Sequence, residues 1–136
     1  MAQRIDIGID GGGTGCRALV SVDGVLRKYK GGPANVVTDP AGAEASIRLI
    51  LDQALADLGL GLDALTEARI CAGLAGCRLP GAADSFATRL PFLAYVVDDS
   101  VTALEGAFAG DDGCLASLGT GSFFIAKQQG TVRHIG

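Results

Sequence analysis

The sequence has 136 residues, 49% of them hydrophobic and 19% charged, with 21 glycines and a net charge of −4. This composition suits one globular domain with a real core and excludes a disordered chain. An acidic balance without a Lys/Arg cluster argues against nucleic acid or an anionic membrane as partner, and no run approaches the roughly 18 apolar residues of a membrane span.

Taken in chain order, "RIDIGID" (Arg4 to Asp10) alternates apolar and other residues, as a half-buried strand does. The opening residues lack the apolar stretch of a signal peptide, so a cytoplasmic protein is expected. "CRALVSV" (Cys16 to Val22) is a second strand. Asp23-Gly24 is a strong two-residue hairpin turn, and "VLRKYK" (Val25 to Lys30) is a third strand, which makes an antiparallel meander. "GGPAN" (Gly31 to Asn35) is a loop. Asp39 is a good N-cap with Pro40 at the first helical position. Ile47, Ile50, Leu51, Ala54, Leu55 and Leu58 form a stripe at helical spacing, and Gly59 ends it.

"EARICAGLA" (Glu67 to Ala75) is a strand running into the turn Gly73 to Gly76. Leu79 to Leu90 is a short helix, and "FLAYVV" (Phe92 to Val97) a buried parallel strand. Asp98 and Asp99 follow, then a helix over about Ser100 to Ala109. "GCLASLGTGS" (Gly113 to Ser122) is a strand entering a second Gly-rich turn, and "SFFIAKQQ" (Ser122 to Gln129) leaves it. No internal repeat or linker stands out, and His134 is a surface residue with no evident partner. Cys16, Cys71, Cys77 and Cys114 form no C-x-x-C pair and suit neither zinc nor a disulfide framework, so they are expected to be reduced and mostly buried thiols.

Gly13 to Ala18 fits G-x-G-x-x-A, but that fingerprint needs a helix after it, and here a strand and a turn follow. A P-loop is absent as well. What remains is a glycine-rich hairpin tip, Asp10 to Gly15, whose backbone N–H groups can gather around an anion. The Thr14 hydroxyl can add a donor, and Asp10 at the strand end can hold a hydrated Mg²⁺. Gly119-Thr120-Gly121-Ser122 is a second tip of the same kind, and two such tips suggest two jaws on one polyphosphate.

"IGIDGGGTGCRALV" resembles the first phosphate motif of the actin-like sugar kinases, and "VVDDSVTALEGAF" with "GCLASLGTGS" resembles their second. The group most similar is the BadF/BadG/BcrA/BcrD ATPase family, in its N-acetylglucosamine and glucosamine kinase branch. The resemblance implies an α/β, ribonuclease H-like (actin-like ATPase) lobe: a mixed sheet that begins with the antiparallel meander and carries helices on both faces. It implies that residues 1–136 are a single N-terminal lobe, with ATP and a sugar bound between it and a second lobe, and that the isolated chain turns over no sugar.

Residue by residue, Asp10 resembles the aspartate that organises Mg²⁺, and Gly11, Gly12, Gly13 and Thr14 the loop on the β- and γ-phosphates. Gly119, Thr120, Gly121 and Ser122 resemble the second phosphate loop, with Thr120 also near the sugar. Asn35 resembles an asparagine that hydrogen-bonds the sugar, as an amide able both to donate and to accept. Asp99 resembles the catalytic base that also binds the sugar hydroxyl; Asp98 is the alternative, since only one of two adjacent carboxylates can face a cleft. A homodimer is the family expectation. Two other readings are an ATPase that activates a dehydratase through an iron–sulfur cluster, and a binding module without catalysis.

Overall fold

The structure is a computed structural model and describes residues 3–117 and 123–135. Among the described residues there are eight strands and four helices. They fall into two compact units, residues 1–99 and 100–136.

The first unit opens with β1 (Ile5–Gly11), β2 (Cys16–Val22) and β3 (Val25–Gly31). These pair antiparallel in the expected meander, with Val22 opposite Val25 and Gly11 opposite Cys16. The β2–β3 turn is made by Asp23 and Gly24 at φ 50° and 87°. Two successive positive φ values give the hairpin the twist of its strands, which is why Asp-Gly marks this turn. Asp23 also ties the turn to the start of β1: its Oδ1 accepts from the Arg4 N–H at 2.9 Å.

Helix α1 (Pro40–Leu58) begins and ends where its capping residues dictate. Asp39 accepts from Gly42 N–H, Pro40 opens the first turn, and Gly59 closes the helix in a left-handed conformation. The predicted stripe is the buried face, with Ile47, Ile50 and Leu51 at most 1% exposed. A short helix, α2 (Asp63–Glu67), precedes β4 (Arg69–Leu74). It occupies residues that composition left as loop and trims the strand expected from Glu67. Helix α3 (Ala82–Ala87) and β5 (Tyr95–Asp98) complete the unit.

The sheet order is β3-β2-β1-β4-β5. β4 joins β1, and β5 joins β4, in parallel. Ile5, Ile7 and Ile9 share one face with Ala18, Val20, Ile70 and Ala72, and all are buried. The same core takes in α1, Leu65 of α2 and Phe86 of α3, so all three helices of this unit cover one face. The other face carries Asp6, Gly8, Leu19, Ser21, Arg69, Cys71 and Tyr95.

Helix α4 (Asp99–Phe108) starts on the last residue of the first unit and, in the second, leads to β6 (Gly113–Ser117), β7 (Phe123–Gln128) and β8 (Thr131–Ile135). The three strands form another antiparallel meander, with Ile125 paired to His134. β8 is an element that sequence reasoning missed. Its turn, Gln129-Gly130 at φ 51° and 79°, has the same positive-φ pair as Asp23-Gly24. His134 has a partner after all: Ser100 Oγ lies 2.8 Å from its Nε2. The thiols are less buried than expected: Cys16 is buried, Cys71 on the open sheet face and Cys77 packed at the margin of the core are half-buried, and Cys114 is exposed.

Two substitutions test this packing. The Tyr29 hydroxyl donates to Asp57 Oδ2 at 2.7 Å, bridging β3 to α1. Burial first, and then the Asp57 carboxylate, push the phenol up from 10 to about 12. Its folded pKa is the higher one, so the stability it contributes is full below about pH 10 and is lost as pH rises through about 12. Tyr29→Phe should cost about 1 kcal/mol in urea unfolding at neutral pH and abolish the loss in that alkaline window. An alkaline loss that persists in Tyr29→Phe would assign it to another group. Gly11 is a matter of space: a Cβ there would lie 2.8 Å from both Ala34 Cβ and Leu74 Cδ2. Gly11→Ala should destabilise by about 1–3 kcal/mol, read as a lowered urea midpoint with unchanged slope.

Candidate functional site

The carboxyl ends of the parallel strands β1, β4 and β5 meet along one edge of the sheet. Asp10, Gly73 and Val97 form one row across the strands, and Gly11, Leu74 and Asp98 the next. Open α/β sheets place ligands at this edge, because the chain leaves the strands there in loops. Two strand spacings, about 10 Å, separate the end of β1 from the end of β5.

The β1–β2 hairpin forms the first part of the site. Gly12 N–H donates to Gly15 O at 2.9 Å, which closes the turn. Among the described backbone hydrogen bonds outside helices and strands, none is donated by Gly13, Thr14 or Gly15. Three successive amides at the tip thus have no backbone acceptor among the described residues. The glycines at the tip differ in kind from Gly11. A Cβ on Gly13 would meet nothing within 4 Å, and one on Gly12 only Gly15 O at 3.9 Å. Neither has a positive φ. Neither packing nor backbone conformation demands glycine at these two positions, which leaves bare amides with room above them, the property an anion site uses.

Asp10 lies beside this tip, its side chain 51% exposed, with Oδ2 3.0 Å from Arg17 Nη2. Arg17 is its direct partner across the β1–β2 ladder. The pair is exposed and contributes about 0–1 kcal/mol, so Asp10 can exchange it for a metal without much cost. Among the described residues, no three His, Cys, Asp or Glu side chains gather into a metal cage. One exposed carboxylate next to a phosphate-sized cradle fits Mg²⁺, a hard cation that keeps several waters and takes phosphate oxygens.

Backbone hydrogen bonds stitch two further segments to this strand end. Ala75 N–H donates to Gly11 O at 2.8 Å, Ala34 N–H to Gly12 O at 2.9 Å, and Val36 N–H to Ala75 O at 3.0 Å. Asn35 is thereby held beside the hairpin. Its Oδ1 accepts from the N–H groups of Val37 (3.0 Å) and Thr38 (3.1 Å). Both lone pairs are committed, so the amide presents Nδ2 donors and no longer acts in both directions. Gly76 makes room for this turn. It has φ +93°, and a Cβ would meet Asn35 Oδ1 at 2.9 Å and Val37 N at 3.1 Å. Gly73 and Leu74, expected in a turn, end β4 instead, and the turn that follows, from Gly76, supports Asn35.

Asp98 ends β5 and is buried at 8% exposure, in the row of Gly11 and Leu74 on the helix-covered face. Asp99 is the first residue of α4 and is half-buried. Both are near the turn after β4. The Cys77 thiol is pushed up to about 11, by burial first and then by the negative charges of Asp98 and Asp99. Asp10, Gly11, Gly12, Gly13, Thr14 and Asn35 are joined by the hydrogen bonds above. Gly119, Thr120, Gly121 and Ser122 lie outside the described residues. Arg17 was missed, although counting outward from the hairpin tip sets residue 17 opposite residue 10.

The fold and these motifs have counterparts. The chain is 32% identical over 137 residues to glucosamine kinase GspK of Vibrio cholerae serotype O1, covering 96% of this chain and 46% of that protein. A solved structure of a Chromobacterium violaceum protein, proposed there to be an N-acetylglucosamine kinase, is 30% identical. It superposes with a TM-score of 0.87 over 96% of this chain and 48% of that one. The chain therefore spans about half the length of these relatives. YeaZ from Pseudomonas aeruginosa shares the fold at a TM-score of 0.53 and 16% identity, over 98% of this chain and 65% of that one. The model of one protein family matches residues 7–136, nearly the whole sequence. The chain belongs to the BadF/BadG/BcrA/BcrD ATPase family, with the actin-like ATPase fold.

Proposed function

We propose that the complete gene product is a sugar kinase that transfers the γ-phosphoryl group of ATP to a hydroxyl of an amino sugar, glucosamine or N-acetylglucosamine. Residues 1–136 supply the first phosphate loop and the base. The observation that carries this is the hairpin tip: three amides without backbone acceptors, two glycines that the fold does not require, and Asp10 beside them. The similarity to proteins named for glucosamine and N-acetylglucosamine kinases supports the substrate class.

In this reading the amides of Gly13, Thr14 and Gly15 and the Thr14 hydroxyl hold the β- and γ-phosphates, with Gly12 closing the turn beneath them. Asp10 holds the Mg²⁺, which supplies positive charge to the phosphate oxygens when bound. Asn35 orients the sugar by donating from Nδ2 to an acceptor on it. An Asp99 carboxylate oxygen takes the proton of the sugar hydroxyl as that oxygen bonds to the γ-phosphorus. The bond from the γ-phosphorus to the bridging oxygen breaks, and ADP leaves. Phosphoryl transfer needs little more from a protein than positioning and charge stabilisation. Gly119, Thr120, Gly121 and Ser122 complete the polyphosphate grip.

ADP release by the complete gene product with Mg·ATP, with and without a panel of hexoses and amino sugars, tests the reading. Release that depends on an amino sugar supports it and names the substrate. Release indifferent to every sugar overturns it in favour of an activator-type ATPase. Residues 1–136 alone should release no ADP. Asp99→Asn should lower kcat by about 10²–10⁴-fold with little change in the KM for ATP. Gly13→Ala should leave stability within about 0.5 kcal/mol, since its Cβ meets no atom, yet reduce kcat/KM for ATP about tenfold or more by intruding on the phosphate.

A further inference from the structure

The second unit fastens α4 to its own three-stranded sheet at two points. At the start of the helix, Ser100 Oγ lies 2.8 Å from His134 Nε2 on β8. Toward its end, Lys127 Nζ on β7 donates to Glu105 Oε1 at 2.7 Å and to the Gly110 carbonyl at 3.0 Å. Leu104 and Ile125 are both 1% exposed. Gly113 follows so closely that a Cβ there would lie 2.6 Å from the Phe108 ring. Residues 100 and 105 are about 7.5 Å apart along the axis. One fastening would let the helix pivot; two fix both its direction and its rotation.

A serine hydroxyl within hydrogen-bond reach of an imidazole is also the signature of an activated nucleophile. Ser100 is only 3% exposed, which closes it to any substrate. The pair is a tie, and what it holds is the first turn of α4. Helix first turns lack intrahelical acceptors for their N–H groups and fray unless something else fixes them. Asp99 is the residue immediately before Ser100 in this turn.

We propose that His134 is a positioning residue: through Ser100 it pins the first turn of α4 and so fixes the direction of the Asp99 carboxylate. This rests on the reading of Asp99 as the base. Lys127 secures the far end of the same helix, and the Ser100–His134 bond acts on the near end. A loosened first turn lets the carboxylate spend much of its time away from the attacking hydroxyl. The loss then falls on turnover and spares nucleotide binding at the β1–β2 hairpin.

The experiment is steady-state kinetics on the complete gene product. His134→Leu should lower kcat about tenfold with the KM for ATP within about twofold. His134→Gln should stay within about twofold of the native rate, because its amide reaches about as far as Nε2 and can donate or accept. Ser100→Ala should reproduce His134→Leu, and the double variant should be no worse than either alone, as for two halves of one interaction. Native kcat in His134→Leu or in Ser100→Ala, failed rescue by His134→Gln, or multiplying losses in the double variant would overturn the inference. If His134→Leu folds poorly, Ser100→Ala, which removes only a hydroxyl, decides. Full activity in Asp99→Asn would instead remove the base assignment itself, a failure separate from that of the tie.

Discussion

Two backbone carbonyls, those of Gly11 and Gly12, organise the candidate site. Gly11 O accepts from Ala75 and Gly12 O from Ala34. These two bonds bring the turn after β4 and the loop before α1 against the end of β1. They can do so only because Gly11 has no side chain, since a Cβ would strike Ala34 and Leu74. The β1–β2 hairpin, the turn after β4 and Asn35 are thus one stitched assembly, and the stitching is insensitive to what the exposed side chains carry. Among the candidate site's side chains, the local turn uses Asn35 Oδ1, and the stitching itself rests on main-chain bonds.

The electrostatics of this edge divide between its two ends. Asp10 is exposed and has Arg17 as its partner, a weak pairing that ligands can replace. Asp98 and Asp99 sit near a half-buried thiol, and their charges help keep Cys77 protonated well above neutral pH. Asn35 adds directionality. With Oδ1 bound to two backbone amides, it can only give hydrogen bonds outward.

Much of this was legible because the signals are local. Asp23-Gly24 needs two positive φ values, Asp39-Pro40 caps a helix, and Gly59 ends it; each acts within a few residues of itself. The first meander and the stripe of α1 follow from such cues. α2 was hidden because five residues give little periodicity and its N-cap, Leu62, makes no side-chain hydrogen bond. β8 was hidden because Gln-Gly is a weaker turn signal than Asp-Gly, though it adopts the same geometry. The site was legible as a glycine pattern, but the pattern did not separate Gly11, needed for close packing, from Gly12 and Gly13, which packing leaves unexplained. The Ser100–His134 tie, with 34 residues between its partners, has no local signature at all.

The five-stranded sheet has two rims, and their chemistry limits what the fold can join. β3 forms one, with Arg27, Lys28 and Lys30 exposed along it. β5 forms the other and is only four residues long, starting four positions after Pro91. A neighbouring strand that tried to extend the sheet at β3 would bring a second row of cations against the first, and at β5 it would find too few hydrogen bonds to hold it. Growth of the sheet from copy to copy is therefore disfavoured at both rims, so the unpaired backbone that any open sheet carries does not become a seed for aggregation.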